Sequence, residues 1–297
     1  MLLFHSKENQ QFGVTGECEL LAFLLNLPIH LSRKQAKDLL RFGMVSVPRY
    51  IWVKHDTRLE PGDIVTIAKR KPAAVSSSEL HGLKIIHLDD AIVVVDKPAG
   101  LLSMGSEREK ERTAHRLLNE HLKAMNGRRG QQAFIVHRLD RETSGLMMFA
   151  RSEAVQKALQ ENWKAVTKRY QAVVEGEPPE SSGTLADRLA ETASLMVRRV
   201  QTGGELAITH YRILRRRGTR SLLELTIETG RKHQIRVQLA GAGCPVLGDR
   251  KYGAPNDSAR RLALHSCELI FAHPISGEPI RFRSVLPAGL RSLAERG

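Results

Sequence analysis

The chain has 297 residues, 41% of them hydrophobic and 26% charged, which excludes a disordered chain and leaves room for one large domain or a small one plus a larger one. Its 46 Lys and Arg against 32 Asp and Glu give a net charge of +14, an excess that favours polyanionic partners and places nucleic acid ahead of a membrane surface. No apolar run approaches the roughly 20 residues of a membrane span, the start Met1-Leu2-Leu3-Phe4 lacks a signal-peptide layout, and Cys18, Cys244 and Cys267 form no disulfide framework, so the cytoplasm is the expected home.

Residues 17–70 read as a compact unit. A short helix over 19–27 carries Leu20, Leu21, Phe23, Leu24 and Leu25, and Ser32 is a suitable N-cap for a second helix running to about Phe42. On that second helix Arg33, Lys34, Lys37 and Arg41 fall within roughly a 100° arc, with Ala36, Leu39 and Leu40 on another side. Such a face is either merely solvated or a phosphate contact. Asp38 is its one acid, which makes the face unusually one-sided. Strands follow at 43–47 and after the turn Glu60-Pro61-Gly62-Asp63. This order resembles the alpha-L RNA-binding fold of a small-subunit ribosomal protein and of RNA-modifying enzymes. The second helix, Arg41-Phe42-Gly43-Met44-Val45-Ser46-Val47 and Glu60-Pro61-Gly62-Asp63-Ile64-Val65 carry the resemblance. Glu19-Leu20-Leu21 stands where that family opens on Arg-Leu-Asp, and Pro48-Arg49 replaces its Asn-Gly. The resemblance implies an RNA-binding domain over residues 1–70, divergent from the family pattern, with Arg33, Lys34, Lys37 and Arg41 as its RNA contacts.

Arg70-Lys71-Pro72-Ala73-Ala74-Val75-Ser76-Ser77-Ser78 has the composition of a linker, which places a boundary over 71–82 and a second domain over 83–297. Short apolar strands at 83–87 and 92–95 flank Asp89-Asp90, and Lys97-Pro98-Ala99-Gly100 breaks the second. A charged loop over 107–112 precedes a helix over 113–124, and Gly127-Arg128-Arg129-Gly130 then leads to the strands 133–136 and 146–150. Between these strands lies His137-Arg138-Leu139-Asp140-Arg141-Glu142-Thr143-Ser144-Gly145, where Ser and Gly supply turn chemistry. In it the carboxylate of Asp140 stands between Arg138 and Arg141; flanking cations favour the charged form of an acid that is costly to bury alone. By itself this pattern equally describes a surface ion pair on a hairpin.

Beyond it, residues 152–166 form a helix buried along Val155, Leu159, Trp163 and Val166. Residues 168–174 form a strand, 178–183 a loop, and 206–214 and 222–229 two strands joined by the basic turn Arg215-Arg216-Arg217-Gly218. The second alternates cleanly at Leu223, Leu225 and Ile227. Thr229-Gly230-Arg231-Lys232-His233-Gln234-Ile235-Arg236 reads as a helix started by Gly230 and ending near 241–243, followed by strands at 264–271 and 280–282. Many strands with few intervening helices predict an α+β domain on an antiparallel or mixed sheet.

Several blocks together resemble a pseudouridine synthase of the RluA type. They are Val95-Asp96-Lys97-Pro98-Ala99-Gly100-Leu101, the stretch His137 to Leu146 quoted above, Lys168-Arg169-Tyr170, Gly230-Arg231-Lys232-His233-Gln234-Ile235-Arg236 and Gly248-Asp249-Arg250-Lys251-Tyr252-Gly253. Arg261-Leu262-Ala263-Leu264-His265 and Ala272-His273-Pro274 match the family's ending, so the resemblance covers residues 83 to about 287. It implies the pseudouridine synthase fold, a mixed or antiparallel central sheet flanked by helices and loops, and the isomerisation of uridine in structured RNA without a cofactor or metal. Ribosomal RNA is favoured as the target and tRNA is the other candidate; a monomer acting away from membranes is expected. By matching position, Asp140 is the essential carboxylate, acting as nucleophile on sugar or base or as base at the ribose. Arg236 is the arginine that pairs with it and favours its ionised form. Tyr170 is the tyrosine whose ring can stack on uracil and whose hydroxyl is a candidate for removing the carbon-5 proton. Arg138 is the arginine that fills the stack when the nucleotide flips out. The loops at 108–112 and 215–217 offer further cations for phosphates.

Two other readings compete. A glycosidase needs two carboxylates about 5–9 Å apart, and Glu142 is the only acid near Asp140 in sequence. An RNA-binding or ribosome-assembly protein that keeps the fold without catalysis would not need Asp140, Tyr170 and Arg236 together.

Overall fold

The structure, a computed structural model, describes residues 10–41, 44–48, 50, 53, 55–67, 82–105, 109, 112–126, 132–253, 259 and 261–295, of which Arg41 and Asn126 are described by their backbone alone. The expected linker at 70–78, the turn at 127–130 and most of the loop at 107–112 lie outside these residues. Two compact units emerge, one of residues 1–81 with 87–90 and one of residues 82–86 with 91–297. No described helix is long and apolar enough to cross a membrane.

The first unit contains β1 (Gln10–Gly13), β2 (Cys18–Glu19), α1 (Leu20–Leu25), α2 (Arg33–Arg41), β3 (Val45–Ser46), β4 (Arg58–Leu59) and β5 (Ile64–Ile67). Strands β1, β5 and β3 pair antiparallel in that order, and β2 pairs with β4. Helix α2 starts at a reciprocal cap: Ser32 Oγ accepts from Gln35 N at 3.2 Å, and Gln35 Oε1 accepts from Ser32 N at 2.8 Å. Its Ala36, Leu39 and Leu40 enter a core with Leu20, Leu24, Leu59 and Val65. That burial turns Arg33, Lys34 and Lys37 outward, and all three are exposed.

The second unit is built on one large mixed sheet. Its elements are β6 (Lys84–Leu88), β7 (Ile92–Lys97), α3 (Ala114–Asn126), β8 (Phe134–Ile135), β9 (Ser144–Ala150), α4 (Glu153–Glu161) with a 3-10 turn at Trp163–Ala165, β10 (Thr167–Glu175), β11 (Ser182–Glu191), β12 (Val197–Val200), β13 (Glu205–Arg217), β14 (Arg220–Ile227), α5 (Gln234–Gly241), β15 (Leu264–Ala272), β16 (Pro279–Arg283) and α6 (Ala288–Glu295). The order is β12-β11-β13-β14-β10-β15-β9-β7-β6, with β16 on β15 and β8 on β9. Strand β9 runs parallel to β15, while β10 with β15 and β7 with β9 are antiparallel. All seven residues of β9 are buried, as a central strand covered on both faces requires. Ile92, Val94, Leu146, Met148, Leu269 and Phe271 form a core that α4 closes with Leu159. Ser152 caps α4, its Oγ accepting from Val155 N at 3.2 Å.

Gly145 sits where β9 meets β15. Its φ is +111°, and a Cβ there would lie 2.1 Å from the carbonyl oxygen of Ser266. Only glycine allows the backbones this approach, so the Ser-Gly pair serves a strand contact as well as the turn before it.

Four sequence expectations need correction. The helix expected to start at Gly230 begins at Gln234, because residues 230–233 turn through a left-handed His233. The loop expected to reach residue 183 ends earlier, since β11 starts at Ser182. Arg215, Arg216 and Arg217 belong to β13, and the turn falls at Gly218 and Thr219. The helix over 152–166 stops at Glu161 and tightens into the 3-10 turn, which still brings Trp163 and Val166 to the core.

Candidate active site

The loop between β8 and β9 carries Asp140, and contacts from distant parts of the chain fix its shape. Nε2 of His137 accepts from Met148 N at 3.0 Å, and the His137 ring stacks on Trp163 with centroids 4.4 Å apart. Burial, with the Lys168 charge second, pushes the His137 pKa down to about 3, so the acceptor stays unprotonated at neutral pH. Ser103 holds the next residue but one at both ends, its Oγ donating to Leu139 O at 2.6 Å and accepting from Leu139 N at 3.0 Å. Past Asp140, the carbonyl of Arg141 accepts from Gly100 N at 2.8 Å and from Lys97 Nζ at 3.2 Å. Lys97 is fully buried and also donates to Pro98 O and Leu101 O. Burial lowers its pKa to about 7, against the pull of Glu142, Asp140 and Asp96. The Lys-Pro-Ala-Gly segment therefore serves the neighbouring loop as a backbone brace.

The cleft beside this loop is lined by Arg138, Asp140, Tyr170, His233 and Arg236, among others, and Asp140 is the one carboxylate among its lining residues. Arg236 projects from α5 and is nearly buried. Its Nη1 donates to Asp140 Oδ2 at 3.4 Å, but its strongest bonds go elsewhere. Nε and Nη2 each donate to Asp249 at 2.8 Å, to Oδ2 and Oδ1 respectively. Asp249 is fully enclosed, and its Oδ1 also accepts from the amides of Lys251 and Tyr252. Burial opposes the charge on both partners, yet the paired bonds outweigh it: the Arg236 pKa is raised and the Asp249 pKa is lowered. Arg236 thus reaches Asp140 as a guanidinium already anchored from behind, with one nitrogen extended into the cleft.

Tyr170, on β10, is buried. Burial, reinforced by the charge of Asp140, pushes its hydroxyl above the ordinary phenol range, so it is a neutral phenol at physiological pH. Tyr252 packs its ring against Arg236, with the guanidinium carbon 5.2 Å from the centroid. Its hydroxyl accepts from Val197 N at 3.0 Å and contacts His233 Nδ1 at 2.7 Å. His233 turns its other nitrogen to the cleft, with Nε2 3.9 Å from Asp140 Oδ2. Burial lowers its pKa to about 4; Asp140 pulls the other way, against Arg236, Lys251 and Lys232. Its left-handed backbone, φ 54° and ψ 19°, carries a cost of about 1–3 kcal/mol for a residue with a side chain.

The structure therefore brings Asp140, Tyr170 and Arg236 to one cleft, with Arg138 exposed at its edge and its Nη1 3.9 Å from Met104 Sδ. Arg33, Lys34 and Lys37 belong to the other unit, and the side chain of Arg41 lies outside the described residues. Asp249, His233 and Tyr252 stand within the motif blocks of the sequence, but nothing there assigns them roles. A buried acid among Gly248, Arg250 and Lys251 is the one local hint that Asp249 needs a cationic partner. Among the described residues no group of three His, Cys, Asp or Glu side chains converges.

Comparison with known proteins identifies the family. A model of the RNA pseudouridylate synthase family matches residues 91–241, half of the chain. An uncharacterized RNA pseudouridine synthase of Synechocystis is 34% identical over 275 residues, covering 89% of this chain and 84% of the relative. A ribosomal large subunit pseudouridine synthase D of Xanthomonas campestris is 38% identical over 231 residues, 71% of this chain and 68% of the relative. Among solved structures, human RNA pseudouridylate synthase domain containing 4 aligns with a TM-score of 0.60 at 26% identity, covering 73% of this chain and 93% of that one. The braced acid loop, the anchored arginine and these matches lead to one conclusion: the chain belongs to the RNA pseudouridylate synthase family, isomerases that convert uridine in RNA to pseudouridine.

Proposed function

We propose that Asp140 is the reacting carboxylate of this isomerase and that its target is a uridine of large-subunit ribosomal RNA. The observation that carries the first part is that Asp140 is the one carboxylate lining the cleft and meets a guanidinium there. A glycosidase would need a second acid across the cleft. The reaction breaks the bond from ribose carbon 1′ to ring nitrogen 1 and joins carbon 1′ to carbon 5. The hydrogen on carbon 5 is lost and nitrogen 1 gains one. Asp140 attacks the sugar or base, or takes a ribose proton; all of these require the ionised carboxylate, to which Arg236 Nη1 donates. Tyr170 supplies a flat wall for the uracil. Its raised pKa suits a hydroxyl that donates a hydrogen bond better than one that takes up the carbon-5 proton unaided. Arg138, exposed beside Asp140, fills the vacated stack.

Relatives named as large-subunit ribosomal enzymes support the choice of RNA. Residues 1–70 act as the alpha-L RNA-binding domain, with Arg33, Lys34, Lys37 and Arg41 against phosphates and 71–82 as the linker. The chain works as a monomer in the cytoplasm. The deciding test is Asp140→Asn, which keeps volume and removes charge. Pseudouridine formation is lost while RNA affinity stays within about threefold, since phosphate contacts supply most of the binding. Activity near wild type would refute the assignment. Mapping pseudouridines in total RNA with and without the protein identifies the target; sites confined to tRNA would exclude the ribosomal reading.

A further inference from the structure

Arg236 Nη1 and His233 Nε2 both face the same oxygen of Asp140, Oδ2, at 3.4 and 3.9 Å. The two donors come from one short segment, and the left-handed backbone of His233 lets a residue just outside α5 turn back toward the cleft. Its imidazole is held at the far side by Tyr252. That hydroxyl already accepts from Val197 N, so its own proton is available for Nδ1 of His233. With Nδ1 accepting, the ring proton sits on Nε2, the atom that faces the carboxylate. The opposite tautomer would set a lone pair against Oδ2. The side chain is 12% exposed, so bulk water competes weakly for this position.

We infer that His233 is a positioning residue of the isomerisation, acting through its Nε2–H with Arg236 on one oxygen of Asp140 and leaving Oδ1 as the oxygen that meets the substrate. The inference rests on the reading of Asp140 as the reacting group. At 3.9 Å the donor stands just beyond hydrogen-bond range, and a shift of about 1 Å as the nucleotide enters brings it within range. The acid then meets the nucleotide in one orientation, and positioning of this kind acts on kcat.

The test compares wild type, Asp140→Asn, His233→Phe and His233→Gln with the same RNA. Phe keeps the ring volume and loses the donor, whereas the side-chain amide of Gln can present an N–H near Nε2. Both carry the same left-handed backbone cost, so their difference reports the donor. For Phe we expect kcat to fall on the order of 100-fold, as when one preorganised donor is removed, with KM and RNA affinity within about threefold; Gln recovers at least about tenfold of the loss. Phe with kcat near wild type, Gln no better than Phe, or a loss appearing in KM alone would each overturn the role of His233 while an inactive Asp140→Asn leaves Asp140 in place. An active Asp140→Asn would instead overturn the reading beneath it. If the Phe chain fails to fold, Tyr252→Phe decides: it removes the hydroxyl that directs the proton to Nε2. A kcat fall of about tenfold at unchanged KM supports the role and an unchanged kcat rejects it.

Discussion

Asp249→Asn separates the anchor of Arg236 from the chemistry of Asp140. Asp249 is completely enclosed and accepts four hydrogen bonds, two from Arg236 and two from backbone amides. Asparagine has the same volume but one acceptor oxygen. If that oxygen keeps the amides of Lys251 and Tyr252, its NH2 faces the N–H of Arg236 Nε, donor against donor. Removing one partner of a buried ion pair costs about 3–5 kcal/mol. Here Asp140 can recover part of that cost by taking the freed guanidinium, whose Nη1 is already 3.4 Å away. The expected loss is therefore about 3 kcal/mol, the lower end of that range. The recovery has a functional cost, because Asp140 becomes the principal partner of Arg236 and is drawn from its reacting position; a displacement near 1 Å costs about 100-fold in rate. Chemical denaturation measures the first effect, and release of tritium from the carbon-5 hydrogen of uridine in RNA measures the second. The low pKa of Asp249 sets a sign: the pair stabilises the fold above the ordinary carboxylate range and that contribution is lost as pH falls through the depressed value, so wild type and variant converge in acid. An unchanged denaturation midpoint with kcat within about threefold of wild type would refute the anchoring argument.

Two further outcomes are expected. His265 is fully buried between Ser144 and Ser284, and burial holds its pKa to about 4 against an ordinary 6.5, the Asp96 charge opposing. The unfolded chain therefore takes up this proton first, and the fold loses about 2 kcal/mol from this one group between pH 7 and pH 5. Denaturation midpoints of wild type and His265→Gln at the two pH values check it, and equal pH slopes would reject it. Replacing Arg33, Lys34, Lys37 and Arg41 by alanine should lower the slope of log affinity against log salt by about 0.7–0.9 for each phosphate that these side chains neutralise. An unchanged slope removes the first unit from the RNA interface.

Much of the scaffold is legible in local patterns. Strand β14 declares itself through Leu223, Leu225 and Ile227, and α4 through Val155, Leu159 and its Ser152 cap. Strands β11 and β12 leave little trace, because Leu189 and Val197 alone among their residues are buried and the apolar alternation is weak. Helix α5 hides its start for a related reason. It is buried from Gln234 to Leu239, so Gln234, Arg236 and Gln238 occupy interior positions and no amphipathic period marks the N-terminus.

The stretch around Asp140 shows where sequence and tertiary structure divide the work. Its residues by themselves determine a turn between strands and an acid with flanking cations, since turn chemistry and charge are local. Which cation serves the acid is decided only in three dimensions. Arg141 turns to the carbonyl of Gly100, Arg138 stays exposed at the cleft's edge, and Arg236 arrives from 96 residues away. Asp249 must then neutralise that arginine from behind, and His233 must adopt a strained backbone to face the same oxygen. Such pairings carry no sequence period. They follow from desolvation, which forces each buried charge to find a partner wherever the fold places one.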